Sequence, residues 1–329
     1  MKPSWASHSK ASGSSKPAWV DRARRVPSRA KCINGVRKAA PLTKAWSNIA
    51  DLRSKLHQAK IPSWFVVMVL RVAASVKGSL LYGVEAFSGK GELSSAFSQH
   101  VGAWEKFEIM DNAKHNLLLQ SGFEILVGLM LRIGKGGLLW MGTPCKSWVI
   151  MSRSYTQRSL ARPEGPPPHL CKTPKQAKYL QEHNTLADRT ALLAQLAYAL
   201  HIYYVVEQPQ SSILFRYQPI AKVLKETSAS TVAFRMANFQ GDSPKPLRLQ
   251  GTGAWMQTFA EVNKYRQSLM LAIPSKRLVV SSSSGQFTGI SKELQASSGY
   301  TRSMGTAIAF SYLGMTCADV RNALGHLGL

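Results

Sequence analysis

The sequence contains few cysteines and few acidic residues, and it has no long apolar run. Its four cysteines are widely spaced and form no Cys-x-x-Cys pair: Cys32, Cys145, Cys171 and Cys317. This spacing argues against a zinc site and a disulfide framework, and it suits a reducing compartment. The most apolar stretch, residues 64–70, ends at Arg71, far short of the roughly 20 residues that a membrane-spanning helix needs. We therefore predict no metal site and no membrane span.

The shortage of acidic residues leaves the chain strongly basic. Its 329 residues include 42 Lys and Arg against 17 Asp and Glu, a formal charge of +25. Residues 1–60 carry +12 of this charge and the remainder carries +13. A basic tail on an ordinary domain therefore explains only part of the excess. Such a surface attracts polyanions, so nucleic acid is the predicted partner, ahead of an anionic membrane.

Residues 1–60 are predicted to form a largely disordered basic arm. Ser, Lys, Arg and Pro dominate its first part and no apolar period emerges, although a short amphipathic helix is expected over 45–57. The segment lacks the apolar core of a secretory signal. We interpret it as a nuclear localisation signal. An organellar transit peptide and a nucleic-acid-binding arm also fit the composition.

From residue 61 onward, apolar runs alternate with helical stretches, which is typical of an α/β fold. We predict one α/β domain over 61–329, built on a doubly wound, mostly parallel sheet. The predicted strands are 80–87, 107–110, 137–141, 203–207 and 232–237. The predicted helices are 92–100, 113–121, 124–132 and 185–200, the last capped by Asn184.

A basic, proline-containing segment over 152–183 breaks this alternation. A loop of about 30 residues is uncommon inside a compact domain and is usually functional or disordered. We predict that it is mobile and that its arginines contact nucleic acid, together with Lys146 just before it. The arginines concerned are Arg153, Arg158 and Arg162.

A glycine turn follows the first predicted strand. Phe87, Ser88, Gly89 and Gly91 form a turn whose backbone can approach a nucleotide-like cofactor closely, and a helix opens directly after it. Glu85, near the strand end, is placed to accept hydrogen bonds from an amino group or a ribose. A strand-to-helix turn that uses its glycines only for steric reasons is the alternative.

Three further strand ends carry polar groups. Asp111, after the second strand, lies where a ribose would lie in a doubly wound sheet, although a solvated or capping Asp fits equally. Pro144 and Cys145 follow the third strand, and Lys146 is expected to favour the reactive thiolate. Glu207 ends the fourth strand between apolar residues, which should raise its pKa and suit it to act as an acid.

In this order, the segments resemble the cytosine-5 DNA methyltransferase family. The string 85–91 is similar to that family's cofactor-binding motif, Pro144-Cys145 to its catalytic Pro-Cys, and Glu207 to the glutamate of its Glu-Asn-Val segment. Near the C-terminus, 303–307 is similar to the closing Gly-Asn-Ala motif, which places Gly305 and Thr306 at the cofactor. The resemblance covers residues 80–315.

The resemblance implies a Rossmann-like methyltransferase fold and S-adenosylmethionine as cofactor. Cys145 would add to C6 of a cytosine, Glu207 would hold N3, and Arg248 would make a further base or phosphate contact. The base must be flipped into the pocket, and segment 152–183 is where the family carries the loop that closes on it.

The chain also departs from the family's pattern. Lys146 stands where the family has Gln, and Gln-Pro follows Glu207 in place of Asn-Val. Residues 250–300 leave room only for a reduced recognition region. The predicted function is therefore S-adenosylmethionine-dependent methylation of DNA cytosine. The alternatives are a catalytically inactive nucleic-acid-binding protein and an RNA cytosine methyltransferase of the same fold.

Overall fold

A computed structural model describes residues 39–242, 244–269, 279–281, 287–289 and 299–329. Residues 1–38 of the predicted basic arm lie outside this part, as does much of the predicted recognition region. The short helix expected over 45–57 is present as α1, Ile49–Gln58, and it buries Leu52 and Leu56 completely in the main core. Asn48 caps this helix by accepting a hydrogen bond from the Asp51 N–H at 2.9 Å.

A six-stranded mixed sheet organises the described chain, in the spatial order β2-β1-β3-β4-β6-β5. The strands are β1 Leu81–Ala86, β2 Trp104–Phe107, β3 Ile133–Met141, β4 Tyr203–Pro209, β5 Ser230–Arg235 and β6 Pro246–Gly251. Strands β1 to β4 pair in parallel, while β6 runs antiparallel to both β4 and β5. The predicted α/β class and mostly parallel sheet are confirmed.

Helices cover both faces of this sheet, because its inner strands are apolar on both sides. The helices are α1, α2 Ser63–Ala73, α3 Glu92–His100, α4 Gln120–Met130, α5 Arg153–Thr156, α6 Pro174–Ala199, α7 Gln218–Glu226, α8 Trp255–Leu269, α9 Arg302–Tyr312 and α10 Cys317–His326. One face, with Leu139, Met141 and Val206, packs against α1, α2, α4, α6 and α7. The other face, with Trp140 and Phe234, meets α8 and the segment leading into α9. None of the described helices is long and apolar enough to cross a bilayer.

The structure corrects several predicted boundaries. Strand β2 ends three residues before the prediction, and the predicted helix 113–121 consists only of a 3₁₀ turn over Ala113–His115 and the first two residues of α4. Strand β6 was not predicted at all. Helix α6 begins at Pro174 with Thr173 as its cap, so Asn184 lies inside the helix. The predicted loop 152–183 therefore loses its last ten residues to α6 and contains the short helix α5 as well.

Two short strands lie in the described parts of the predicted recognition region. β7 Val279–Ser281 and β8 Phe287–Gly289 pair antiparallel, and α8 occupies residues before them. Residues 270–278, 282–286 and 290–298 lie outside the described part of the chain.

Candidate functional site

The candidate site lies where the chain reverses its winding direction, between the carboxyl ends of β1 and β3. From β1 the chain crosses to β2 on one side and then returns past β1 to β3 on the other side. Adjacent loops diverge at such a switch point and leave a crevice, which is where open α/β sheets bind their ligands. The Gly142 N–H donates to the Ala86 carbonyl at 3.1 Å, so the two loops start side by side.

The glycine turn occupies the β1 side of this crevice. Phe87, Gly89 and Gly91 all have positive φ angles, of 59°, 53° and 72°, so the backbone coils tightly between β1 and α3. A Cβ atom added to Gly89 would meet no atom within 4 Å, so the turn borders open space. The Ser88 hydroxyl is buried without a hydrogen-bond partner among the described residues.

Glu108 is the acidic residue that faces the glycine turn, and it was missed at the sequence level. Its Oε2 accepts the Gly89 N–H at 2.8 Å and its Oε1 accepts the Met110 N–H at 3.2 Å. Asp111, which was predicted for this place, instead pairs with Lys106 at 2.6 Å, with both side chains substantially exposed. The misplaced end of β2 explains the error, because Glu108 is the first residue after the true strand.

Glu85 is completely buried beneath the turn, so the structure does not place it at the crevice surface as predicted. Its Oε2 accepts hydrogen bonds from the Ser94 N–H at 2.9 Å and the Ser94 hydroxyl at 2.5 Å, which ties α3 to β1. Its Oε1 has no partner among the described residues. Burial raises the pKa of Glu85 to about 7, against the opposing effect of the Ser94 hydrogen bonds.

Glu85→Gln should flatten the pH dependence of stability. Between the ordinary pKa of 4.5 and about 7, folded Glu85 holds a proton that the unfolded chain has lost. The free energy of unfolding should therefore fall as pH rises through this window, by about 3 kcal/mol from this group. Urea denaturation at both ends of the window measures the effect. Glu105→Gln, which removes an exposed carboxyl from β2, is the control; equal slopes in wild type and Glu85→Gln would contradict the expectation.

The Pro-Cys segment occupies the β3 side of the crevice. Gln208 Nε2 donates to the Thr143 carbonyl at 2.5 Å, and the Thr143 and Thr190 hydroxyls lie 3.0 Å apart, so β4 and α6 hold the loop. The backbone N–H of Trp148 donates to the Cys145 carbonyl at 2.9 Å. Cys145 itself is half-buried, and the charges of Glu207, Lys245 and Lys146 are near enough to affect its pKa.

The Cys145 thiol has a raised pKa, contrary to the prediction that Lys146 favours the thiolate. Burial is the main cause, and the negative charge of Glu207 adds to it. Lys245 and Lys146 lower the pKa but do not overcome these effects, and Lys146 is exposed. The raised pKa favours the protonated thiol at rest.

Glu207 is buried at the end of β4 and is held by Tyr300. The Tyr300 hydroxyl donates to Glu207 Oε2 at 3.1 Å and accepts a hydrogen bond from Trp140 Nε1 at 2.9 Å. Glu207 Oε1 is buried without a partner among the described residues. Burial raises the pKa of Glu207, with Lys245 and the Tyr300 hydrogen bond opposing it, as predicted from its apolar surroundings.

The Glu207 carboxyl also lies at the floor of the crevice, near Gly142. A Cβ atom on Gly142 would lie 3.0 Å from the Tyr300 hydroxyl, 3.2 Å from the Phe87 carbonyl oxygen and 3.9 Å from Glu207 Oε2. Because residue 142 is a glycine, the β1 loop and the Glu207 carboxyl can both approach the β3 loop closely at this point. The structure therefore brings the glycine turn, Cys145 and Glu207 together. Tyr300 was missed because no local pattern marks it.

Two predicted cofactor residues lie behind the crevice instead of lining it. Gly305 and Thr306 are buried in α9, and a Cβ on Gly305 would come within 3.0 Å of the Glu92 carbonyl oxygen. The small residue thus allows α9 to pack closely on α3. This close packing supports the glycine turn from behind.

Arg248 is also separated from the crevice. It pairs with Gln208 in the β4–β6 ladder, whereas Glu207 pairs with Leu249. Successive side chains on a strand point to opposite faces, so Arg248 lies on the other face of the sheet from Glu207. The structure therefore does not place Arg248 beside Glu207, where it could contact the same base; the other predicted role, a phosphate contact, stays a prediction.

The predicted nucleic-acid contacts divide into three groups. Lys146 and Arg162 are exposed, and Arg153 is half-buried. Arg158 is only 2% exposed: its guanidinium carbon lies 3.6 Å from the Trp148 ring centre and its nitrogens donate to Ser147, Pro163 and Asn184. Arg158 therefore joins the segment after Cys145 to α6, and the structure does not expose it to a nucleic acid as predicted.

No protein-family model and no curated protein matches the chain. The described residues also contain no group of three His, Cys, Asp or Glu side chains that could hold a metal ion. The fold and the crevice define a mixed α/β protein with a switch-point site, in which a cysteine and a buried carboxyl face a glycine turn. Any assignment of chemistry therefore depends on these residues.

Proposed function

We propose that the protein is an S-adenosylmethionine-dependent cytosine-5 methyltransferase that acts on nucleic acid, DNA in the first place, through a covalent cysteine adduct. The observation that carries the proposal is the convergence of Cys145, Glu207 and the glycine turn on one crevice. A nucleophile and a neutral acid beside a cofactor turn are the groups that this reaction requires. The four motifs in matching order add support.

The residues of the β1 side fit the cofactor. The open space at Gly89 and the unpartnered Ser88 hydroxyl offer room and a hydrogen bond, and Glu108 follows Gly89 at the spacing typical of a ribose-binding acid. A carboxylate has about four acceptor positions, so Glu108 can bind the ribose hydroxyls while it holds the turn. When bound, S-adenosylmethionine supplies an electrophilic methyl group.

The residues of the β3 and β4 side fit the base. Once the thiol has lost its proton to solvent, the Cys145 sulfur would add to C6 of the cytosine, and the neutral Glu207 carboxyl would donate its proton to N3, which gains charge as the C6–S bond forms. With C5 carrying the methyl group that the cofactor would supply, loss of the C5 proton to solvent would allow the C6–S bond to break. Glu207 would then regain its proton from N3, and the Cys145 thiolate would regain one from solvent. A protonated Glu207 also lacks the negative charge that adds to the raised Cys145 pKa, while burial remains the main cause of that rise.

The charge of the chain supports a polyanionic substrate. The formal charge is +25, and Lys146 and Arg162 are exposed on the segment that follows Cys145. A base can reach Cys145 only after leaving its stack, because the thiol is half-buried in the crevice. Positive charge around the entrance would hold the backbone while the base enters.

Calorimetric titration of the full chain with S-adenosylmethionine tests the proposal. Gly89→Leu should weaken binding at least about 100-fold, because the side chain fills the space beside the turn. Gly136→Leu is the matched control, because Gly136 also has a positive φ, 78°, and open space at its Cβ. It lies in β3 ahead of residues 138–141, which pair with β1 and lead to the crevice. Equal binding by both variants would contradict the cofactor site, and so would a folded wild type that binds none.

A second candidate, an inactive nucleic-acid-binding protein, is favoured by the raised pKa of Cys145. A protonated, half-buried cysteine is ordinarily inert. This candidate predicts oligonucleotide binding without any affinity for S-adenosylmethionine, so the same titration separates the two.

A further inference from the structure

A second cavity lies at the carboxyl edge of the sheet, on the face away from Glu207. Its volume is about 210 Å³, enough for a phosphate group. Three segments form it: the stretch after Cys145, the loop between β4 and α7, and strand β6. Its lining residues are Arg153, Leu160, Gln210, Ser211, Ser212, Ile213, Phe215, Arg216 and Arg248.

The lining carries three positive charges and no negative one. Arg153, Arg216 and Arg248 make no ion pair or side-chain hydrogen bond with any other residue that the structure describes. The Arg153 Nε is buried without a partner in the same described part. Three guanidinium groups around one cavity repel each other, and a buried N–H without an acceptor is unfavourable. Both costs are removed by an anion in the cavity.

The aromatic ring of Phe215 lies beside one of these arginines, Arg248. The Arg248 guanidinium carbon lies 5.9 Å from the Phe215 ring centre, and Phe215 is buried. Ser212 cannot serve as a free donor, because its hydroxyl donates to Gln208 at 2.8 Å. The arginines are the charged groups in the lining, beside the polar Gln210 and Ser211, and guanidinium forks match the oxygens of a tetrahedral oxyanion.

We propose that this cavity binds one phosphodiester of the polynucleotide whose base enters the crevice. The proposal rests on the proposed function for its occupant. Arg153 lies eight residues after Cys145, and Arg248 pairs with the neighbour of Glu207, so the cavity borders the catalytic crevice across the edge of the sheet. A phosphate fixed here sets the register of the strand relative to Cys145 and carries no base specificity.

Binding of a fluorescent single-stranded DNA of about 12 nucleotides to the full chain tests the proposal. Arg216→Gln/Arg248→Gln removes two charges from the cavity. Arg53→Gln/Lys77→Gln removes two exposed charges from α1 and from the segment before β1. The cavity variant should bind about tenfold more weakly and its salt slope should fall by about 0.7, the value for one phosphate contact. The control variant should keep the wild-type slope.

Two further probes identify the source of the phosphate. An oligonucleotide with neutral methylphosphonate linkages should bind wild type and cavity variant alike, because it offers no charged oxygens. Inorganic phosphate should compete only weakly. If inorganic phosphate competes strongly and saturably with DNA for the wild type but not for the cavity variant, the site binds a free anion. That result would overturn the polynucleotide proposal. Equal losses in the cavity and control variants would overturn it as well.

The test of the phosphate site and the test of the proposed methyltransferase function can fail independently of each other. The cavity variant should retain the wild-type affinity for S-adenosylmethionine, because the cavity lies on the other face of the sheet. If the wild type binds no cofactor but the cavity variant selectively loses DNA affinity, the phosphate site stands and the methyltransferase proposal fails. If the cofactor binds normally and both double variants bind DNA equally, only the phosphate site fails.

Discussion

Cys145→Ser should reduce methyl transfer to cytosine by at least about 10³-fold while S-adenosylmethionine binding stays unchanged. A serine hydroxyl at this position has no base to activate it, and it is a far weaker nucleophile than the thiolate. The measurement is transfer of a labelled methyl group to single- and double-stranded DNA and to RNA of the same sequence. The comparison between these substrates also decides which nucleic acid is preferred.

Cys171→Ser is the matched control for this variant. Cys171 is also a half-buried free cysteine, but its sulfur contacts the carbonyls of Pro166 and Pro167 away from Glu207. It should retain wild-type activity. With 5-fluorocytosine in the oligonucleotide, C5 has no proton to lose, so a covalent complex should accumulate in wild type and in Cys171→Ser. Its formation by Cys145→Ser, or methyl transfer by that variant at the wild-type rate, would disprove the mechanism.

Glu207→Gln should lower kcat by about 10² to 10⁴-fold with little change in KM. The amide keeps the shape and can still donate to N3, but it cannot release a proton as charge develops there. Because burial raises the Glu207 pKa, the wild type should lose activity as pH rises through that pKa and the acid ionises. The variant has no such acid, so this decline should be absent from its pH–rate profile.

Tyr300→Phe helps to interpret the Glu207 result. It removes the hydrogen bond to Glu207 Oε2 and leaves the carboxyl and the ring in place. We expect a smaller loss of kcat than in Glu207→Gln and a retained decline at high pH. An unaltered pH–rate profile in Glu207→Gln would show that another group is the acid.

The inner strands could be predicted from the sequence because they are buried on both faces and form continuous apolar runs. β1, β3 and β4 were placed in this way, and their carboxyl ends were predicted to meet, which located the crevice. β6 was missed because its segment contains Arg248 and Gln250 between its apolar residues, and its burial depends on β4 and β5, which lie beside it.

The errors in the site have a common physical origin: local sequence does not reveal long-range contacts. Arg158 has the composition of a solvated loop residue, and only its stacking on Trp148 buries it. Tyr300 reaches Glu207 from 93 positions away. Glu108 was the exception, since a correct end for β2 would have identified it. Gly305 was predicted to line the cofactor, whereas the close packing of α9 on α3, which its lack of a side chain allows, depends on a neighbour 213 positions earlier in the chain, Glu92.

The hydrogen bond from Trp140 to Tyr300 joins residues 160 positions apart. During synthesis, the sheet strands and the cysteine loop are therefore made long before the tyrosine that completes the pocket and the helix that supports the glycine turn. Until residue 300 and α9 emerge from the ribosome, the buried carboxyl lacks its hydroxyl partner and one face of α3 stays uncovered. Newly made chains should thus pass through a stage in which that face is open to chaperones, and the Glu207 carboxyl acquires its hydroxyl partner only when residue 300 is in place.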